Sequence, residues 1–276
     1  MISVCIPLGK GSEWHDNELR LTLRSLEKHM KIPYDVFIFA DPRNVPEWLQ
    51  NVTIRKVKRT YPDKAKERFG GVRHYENFFD VLHKMEAMVG DPDVNEQFIL
   101  FYDDTHLNRD VNKVEDLIVY VAVHKYEDFP EAYERRRGKW HKTVMAAMDI
   151  LKRKGRPRWN YESHLPRFYE KSKWQELLKK YPVDEQLIPY SPSTLYINWY
   201  YDGPTVDLLR DDNYVKAGFY GERFTKDVGA FSSANKKVIE EAIDNRMFIN
   251  HNDMGLSKPL KDYLFKLYPE KSKYER

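Results

Sequence analysis

The chain has 276 residues, a formal charge of +3 and 32% charged residues, yet 14% of it is aromatic, which excludes a disordered polyelectrolyte and allows one sizeable core. Its single cysteine, Cys5, excludes an internal disulfide framework and a thiolate zinc cluster, so oxygen and imidazole must hold any metal. The longest apolar run, Leu117 to Val123, falls well short of the roughly 20 residues of a membrane span, and no positive leader precedes the first apolar run. The expectation is a soluble, cytoplasmic protein.

In chain order, Ile2 to Leu8 reads as a buried strand that ends in Pro7-Leu8-Gly9-Lys10-Gly11-Ser12, where two glycines free the backbone. That loop matches neither the dinucleotide fingerprint nor the P-loop; taken alone it is an ordinary strand-to-helix turn, and its amides with Lys10 are a candidate nucleotide cradle. Asp16 is placed to cap a helix carrying Leu19, Leu23, Leu26 and Met30 on one face. Tyr34 to Ala40 is the second strand, ending at Asp41-Pro42. A brief helix at Pro46 to Leu49 leads into a third strand, Val52 to Val57. Tyr75, Phe78, Phe79, Leu82 and Met85 mark a second amphipathic helix, and Gln97 to Tyr102 a further strand.

Strands alternating with helices predict an α/β fold with a mostly parallel sheet covered on both faces. Ligands of such sheets gather outside the carboxyl ends of the strands. The loops after Leu8, Ala40 and Tyr102 would share that edge and bring Lys10, Asp41 and Asp103-Asp104 to one crevice.

The second half is less regular and partly helical. From Arg135 to Arg158 the chain has ten basic residues against Asp149 alone, a block that attracts polyanions or forms a solvated face. Trp140, Val144, Ala147, Met148 and Leu151 keep helical spacing until Gly155-Arg156-Pro157 ends it. Lys171 to Lys180 is a short charged helix, Pro189 to Pro204 a loop with a strand at Thr194 to Trp199, and Pro269 to Arg276 a frayed polar tail. No repeat or linker divides the chain, so residues 1–276 form one domain, with a ligand-binding half at 1–110 and an acceptor-side half at 111–276.

Several residues suit chemistry. Asp103 and Asp104 leave a buried strand as adjacent carboxylates, which repel unless a cation lies between them; Mg²⁺ or Mn²⁺ is the simplest partner, and a helix cap with a surface ion pair is the bland alternative. Arg20 with Arg24, and Arg73 and Lys84 around the next helix, are candidates to neutralise phosphate, with plain surface cations as the alternative. His164, two residues after Glu162, is a candidate base or ligand, and Asp202 a turn carboxylate beside Tyr200 and Tyr201. His251 and the other histidines form no His-Glu-x-x-His pair.

Asp16-Asn17-Glu18-Leu19-Arg20, Leu23-Arg24-Ser25-Leu26-Glu27-Lys28, Val45-Pro46-Glu47-Trp48-Leu49 and Phe101-Tyr102-Asp103-Asp104-Thr105 resemble, in order and spacing, the second region of the Stealth-type capsule sugar-phosphate transferases. Glu162-Ser163-His164-Leu165-Pro166 is similar to that family's histidine region. The opening Ile6 to Ser12 and the closing Tyr268 to Glu275 resemble phage-borne glycosyltransferase-like proteins. The resemblance implies a GT-A type nucleotide-sugar fold. It gives Asp103 and Asp104 the metal and diphosphate position, Asp41 the nucleobase side and His164 the active-site histidine. Pro7-Leu8-Gly9-Lys10-Gly11-Ser12 stands where Stealth proteins have Trp-Val-Asp-Gly-Ser, which favours plain sugar transfer over sugar-phosphate transfer.

The resulting expectation is a glycosyltransferase that uses a nucleoside diphosphate sugar and Mn²⁺ or Mg²⁺. Pro7, Leu8, Gly9, Lys10, Arg20, Asp41, Arg73, Asn77 and Lys84 would surround the donor, Asp103 and Asp104 the metal, and His164 or Asp202 would act as base. The acceptor would be a hydroxymethylated pyrimidine in phage DNA, held by the Arg135–Arg158 block, or a glycan. The alternatives are a Stealth-like sugar-1-phosphate transferase and a non-catalytic nucleic-acid binding protein.

Overall fold

The computed structural model describes residues 1–9, 14–71, 73–118, 125–128, 138–162, 165–201, 240, 243, 246–251 and 256–276, and the backbone of 214–217. Strands β1 (Ile2–Leu8), β2 (Tyr34–Ala40), β3 (Thr53–Lys56), β4 (Gln97–Leu100) and β6 (Arg167–Glu170) form a five-stranded sheet in the order β3-β2-β1-β4-β6. The first four are mutually parallel and β6 runs antiparallel to β4, so the fold is α/β with a mostly parallel sheet.

Period-two alternation sorts the central strands between two cores. Val4, Ile6 and Leu8 of β1 and Ile38 of β2 pack with Leu19, Leu23 and Leu26 of α1 (Asn17–His29). Cys5, Phe37 and Phe39 face the other way, onto Phe79, Leu82 and Met85 of α3 (Glu76–Gly90), which follows the short α2 (Asp63–Arg68). Each helix thus covers one face of the sheet, with about 2 kcal/mol of stabilisation from each fully buried leucine or phenylalanine.

Helices α4 (Lys139–Arg153), α5 (Lys171–Lys180), α6 (Pro192–Tyr200) and α7 (Lys258–Leu267) follow. A smaller sheet of β5 (Thr105–Leu107), β8 (Phe248–His251) and β7 (Tyr214–Ala217), in the order β5-β8-β7, was not foreseen. Among the described residues no helix is long and apolar enough to cross a membrane.

Four local expectations are corrected. Asp16 does not cap α1: His15 and Asp16 both take left-handed backbone (φ 56° and 57°), and Asn17 closes the turn through its amide and side chain onto the Trp14 carbonyl. Pro46 to Leu49 is a turn, and the short 3-10 helix lies earlier, at Pro42–Asn44, capped by Asp41. Thr194 to Trp199 is helical, because the Ser191 side chain accepts from the Thr194 amide and Pro192 presets the first helical φ. The tail is not frayed: Ser272, Tyr274 and Glu275 are buried, and Gln50 and Arg276 amides bond across to Tyr274 and Trp48 carbonyls.

Candidate functional site

Register places the site. Leu8 pairs with Ala40, Ala40 with Lys56 and Cys5 with Leu100, and the Phe101 amide bonds the Cys5 carbonyl at 2.9 Å. The carboxyl ends of β1, β2, β3 and β4 therefore form one edge, with Gly9, Asp41 and the Tyr102-Asp103-Asp104 turn just beyond it. Gly9 is exposed and has open space where a side chain would stand.

The aspartate turn is held from two sides. From α1, Thr22 Oγ1 lies 2.8 Å from the carbonyls of both Asp103 and Thr105. From β8, Asn250 Nδ2 donates to Asp104 Oδ1 at 2.9 Å and to the Asp104 carbonyl at 3.1 Å, and the His251 amide donates to the same carbonyl at 3.2 Å. Beneath the turn, Thr22 Oγ1, His106 Nδ1, His106 Nε2 and His251 Nε2 form a buried chain with links of 3.2 and 3.0 Å. Burial holds both imidazoles neutral, His106 well below its ordinary pKa and His251 at about 3. Proton counting then fixes the tautomers. Thr22 has one proton and gives it to a carbonyl, so it accepts from His106 Nδ1–H, and His251 Nε2–H donates to His106 Nε2.

Negative charge accumulates here. Burial, then the nearby Glu18 carboxylate, pushes Asp103 up to about 6, against a pull from Lys84. Glu18 lies in the first turn of α1 and is buried. Lys84, 1% exposed on α3, donates to the Leu8 carbonyl at 2.7 Å and to Asp80 Oδ2 at 2.5 Å, which ties the end of β1 to the helix. A carboxylate disfavoured by its own neighbours is one that a cation would stabilise, and two adjacent carboxylates offer the hard oxygen donors that Mg²⁺ or Mn²⁺ takes. Among the described residues no three carboxylate, imidazole or thiolate ligands already converge on one point.

The other expected site residues fall as follows. Pro7 and Leu8 are buried at the end of β1. Asp41, also buried, accepts from Arg43 Nε at 2.8 Å, Nη2 at 2.9 Å and its amide at 3.1 Å, and these bonds hold its carboxyl well below the usual range. Arg20 stacks 4.3 Å over Trp48 and reaches Glu275 at 3.4 Å, so its guanidinium serves the tail contact. Arg73 pairs with Glu76 at 3.1 Å, and Asn77 bonds Arg59, both at the start of α3. Lys10, His164, Asp202 and Arg135 to Arg137 lie outside the described residues. The remaining cations of the basic block are mostly exposed on and after α4, at Lys139, Lys142, Lys152, Arg153, Lys154 and Arg156, while Arg158 is bonded to Glu127 at 2.8 Å.

Thr22, Glu18, His106, Asn250 and His251 were missed as site residues. For the last two a signal existed: Asn250-His251 ends the apolar run Met247-Phe248-Ile249 just as Asp103-Asp104 ends Phe98 to Tyr102.

No protein-family model matches the sequence, and no curated protein does. Among solved structures, the chain is similar to an active-site mutant of LgtC (11% identity, TM-score 0.47, 99% of this chain and 96% of that one). It is also similar to the galactosyltransferase LgtC with donor and acceptor sugar analogues (11%, 0.45, 99% and 96%). A third likeness is to apo WbbM, described as a bifunctional glycosyltransferase (11%, 0.49), covering 98% of this chain and 50% of that one.

Proposed function

We propose that the protein is a cation-assisted glycosyltransferase that moves a sugar from a nucleoside diphosphate sugar to a hydroxyl. The observation that carries this reading is the Asp103-Asp104 turn, fixed by Thr22 and Asn250 at the carboxyl edge of a parallel sheet beside the end of β1. The donor lies across that edge, with its diphosphate toward Gly9 and the aspartates and its base toward Asp41. Asp103 and Asp104 hold a divalent cation, which when bound offsets the charge of the departing diphosphate. Lys84 supports the same end of the site by fixing the Leu8 carbonyl.

A product assay tests this. With a panel of nucleoside diphosphate sugars, sugar transfer or hydrolysis releases the nucleoside diphosphate. Release of the monophosphate would instead identify the sugar-phosphate transferase of the Stealth resemblance. DNA as the acceptor is a second, finer reading, favoured by the exposed cations of α4 and the segment after it. It predicts duplex binding that weakens steeply with salt, and salt-independent or absent binding would leave a glycan as the acceptor.

A further inference from the structure

Glu162 lies in the stretch leading into β6. Because β6 is antiparallel to β4, with Arg167 opposite Leu100, the residues before Arg167 approach β4 from its carboxyl end. This is the edge that holds Asp103 and Asp104.

The carboxylate is oriented from below. Ser191 Oγ accepts from the Thr194 amide at 3.2 Å, so its single proton is directed to Glu162 Oε1. The backbone around it is pinned as well, by the Glu162 amide on Asn160 Oδ1 at 3.0 Å and the Tyr161 amide on Thr194 Oγ1 at 3.2 Å. Arg167, fully buried, donates to the Tyr161 carbonyl at 2.6 Å. Among the described residues no ion pair neutralises Glu162, and its side chain is half-buried.

We infer that Glu162 is the general base that activates the acceptor hydroxyl, an assignment that rests on the transferase reading above. Glu162 takes the hydroxyl proton as the acceptor oxygen bonds to the anomeric carbon of the sugar. The bond from that carbon to the diphosphate oxygen breaks, its electron pair leaves on the diphosphate, and the proton passes from Glu162 to water afterwards.

The test uses the whole protein with Mn²⁺, UDP-glucose, UDP-galactose and GDP-mannose as donors, and water as the acceptor. Donor affinity is measured by titration and nucleoside diphosphate release by kinetics. Glu162→Gln retains an oxygen that accepts from Ser191, so fold and donor affinity are expected to hold while kcat falls about 100-fold or more. Release by Glu162→Gln within about threefold of wild type would overturn the assignment and leave Glu162 a brace for α6. Wild type that binds a donor yet releases no diphosphate would overturn it too, since a poised base should act on water. If no donor binds wild type, the transferase reading itself falls, an outcome distinct from both.

Discussion

Glu275 closes onto Arg24 of the first helix: its carboxylate accepts from Arg24 Nε at 2.7 Å and Nη2 at 2.8 Å, with the Ser272 amide and hydroxyl bonded to the same side chain at 3.0 and 3.1 Å. This contact joins residues 251 positions apart and fixes α1, the helix that supplies Thr22 and Glu18 to the site.

Removing one partner leaves a buried charge without its counter-ion, so Glu275→Ala is expected to lower unfolding free energy by about 3 kcal/mol. Burial alone would raise the Glu275 pKa, but the Arg24 and Ser272 hydrogen bonds outweigh it and hold the carboxyl below its ordinary value. A lowered native pKa means that this stabilisation is complete above the unfolded value and is lost as the pH falls through the native one. Urea unfolding between pH 7 and pH 3 should therefore show an acid-side loss of stability in wild type that is smaller in Glu275→Ala.

Thr22 separates positioning from folding. Thr22→Val removes the hydroxyl whose single proton serves the Asp103 and Thr105 carbonyls and whose oxygen accepts from His106, at a cost of about 1–3 kcal/mol, and frees the aspartate turn. Thr22→Ser keeps the hydroxyl. Metal-dependent nucleotide affinity should fall in Thr22→Val and recover in Thr22→Ser, while circular dichroism stays native in both.

Lys84 and Asp80 make a second buried pair. Lys84→Met should cost about 3–5 kcal/mol because Asp80 is left charged and unpaired, and Lys84→Met with Asp80→Leu should recover much of it. The double variant should fold and yet bind nucleoside diphosphate more weakly, since the Leu8 carbonyl at the site edge has lost its tether. Chemical denaturation and titration on the same samples separate the two effects.

The parallel half of the molecule was legible because its strands are continuous apolar runs and its helices keep three- and four-residue spacing, as in Ile2 to Leu8 and Leu19 to Leu26. The carboxyl-edge convergence followed from that topology. What escaped depended on distant partners. Asn250 meets Asp104 across 146 positions, and a four-residue strand carries little pattern of its own. Pro192–Tyr200 contains β-prone Tyr, Ile and Trp, but the Ser191 cap and burial on the core made it a helix. The tail read as frayed because its charges look solvated until Arg20 and Arg24 are seen opposite Glu275.

A cation-dependent nucleotide site on Asp103 and Asp104 is open to calorimetric titration with UDP, with other nucleoside diphosphates as controls. Wild type and Asp104→Asn are each titrated with and without Mn²⁺. Mn²⁺-dependent binding is expected in wild type and should weaken at least about tenfold in Asp104→Asn, a loss of roughly 1.4 kcal/mol. Binding of equal strength in both proteins, or none by any nucleoside diphosphate with or without the metal, would contradict it.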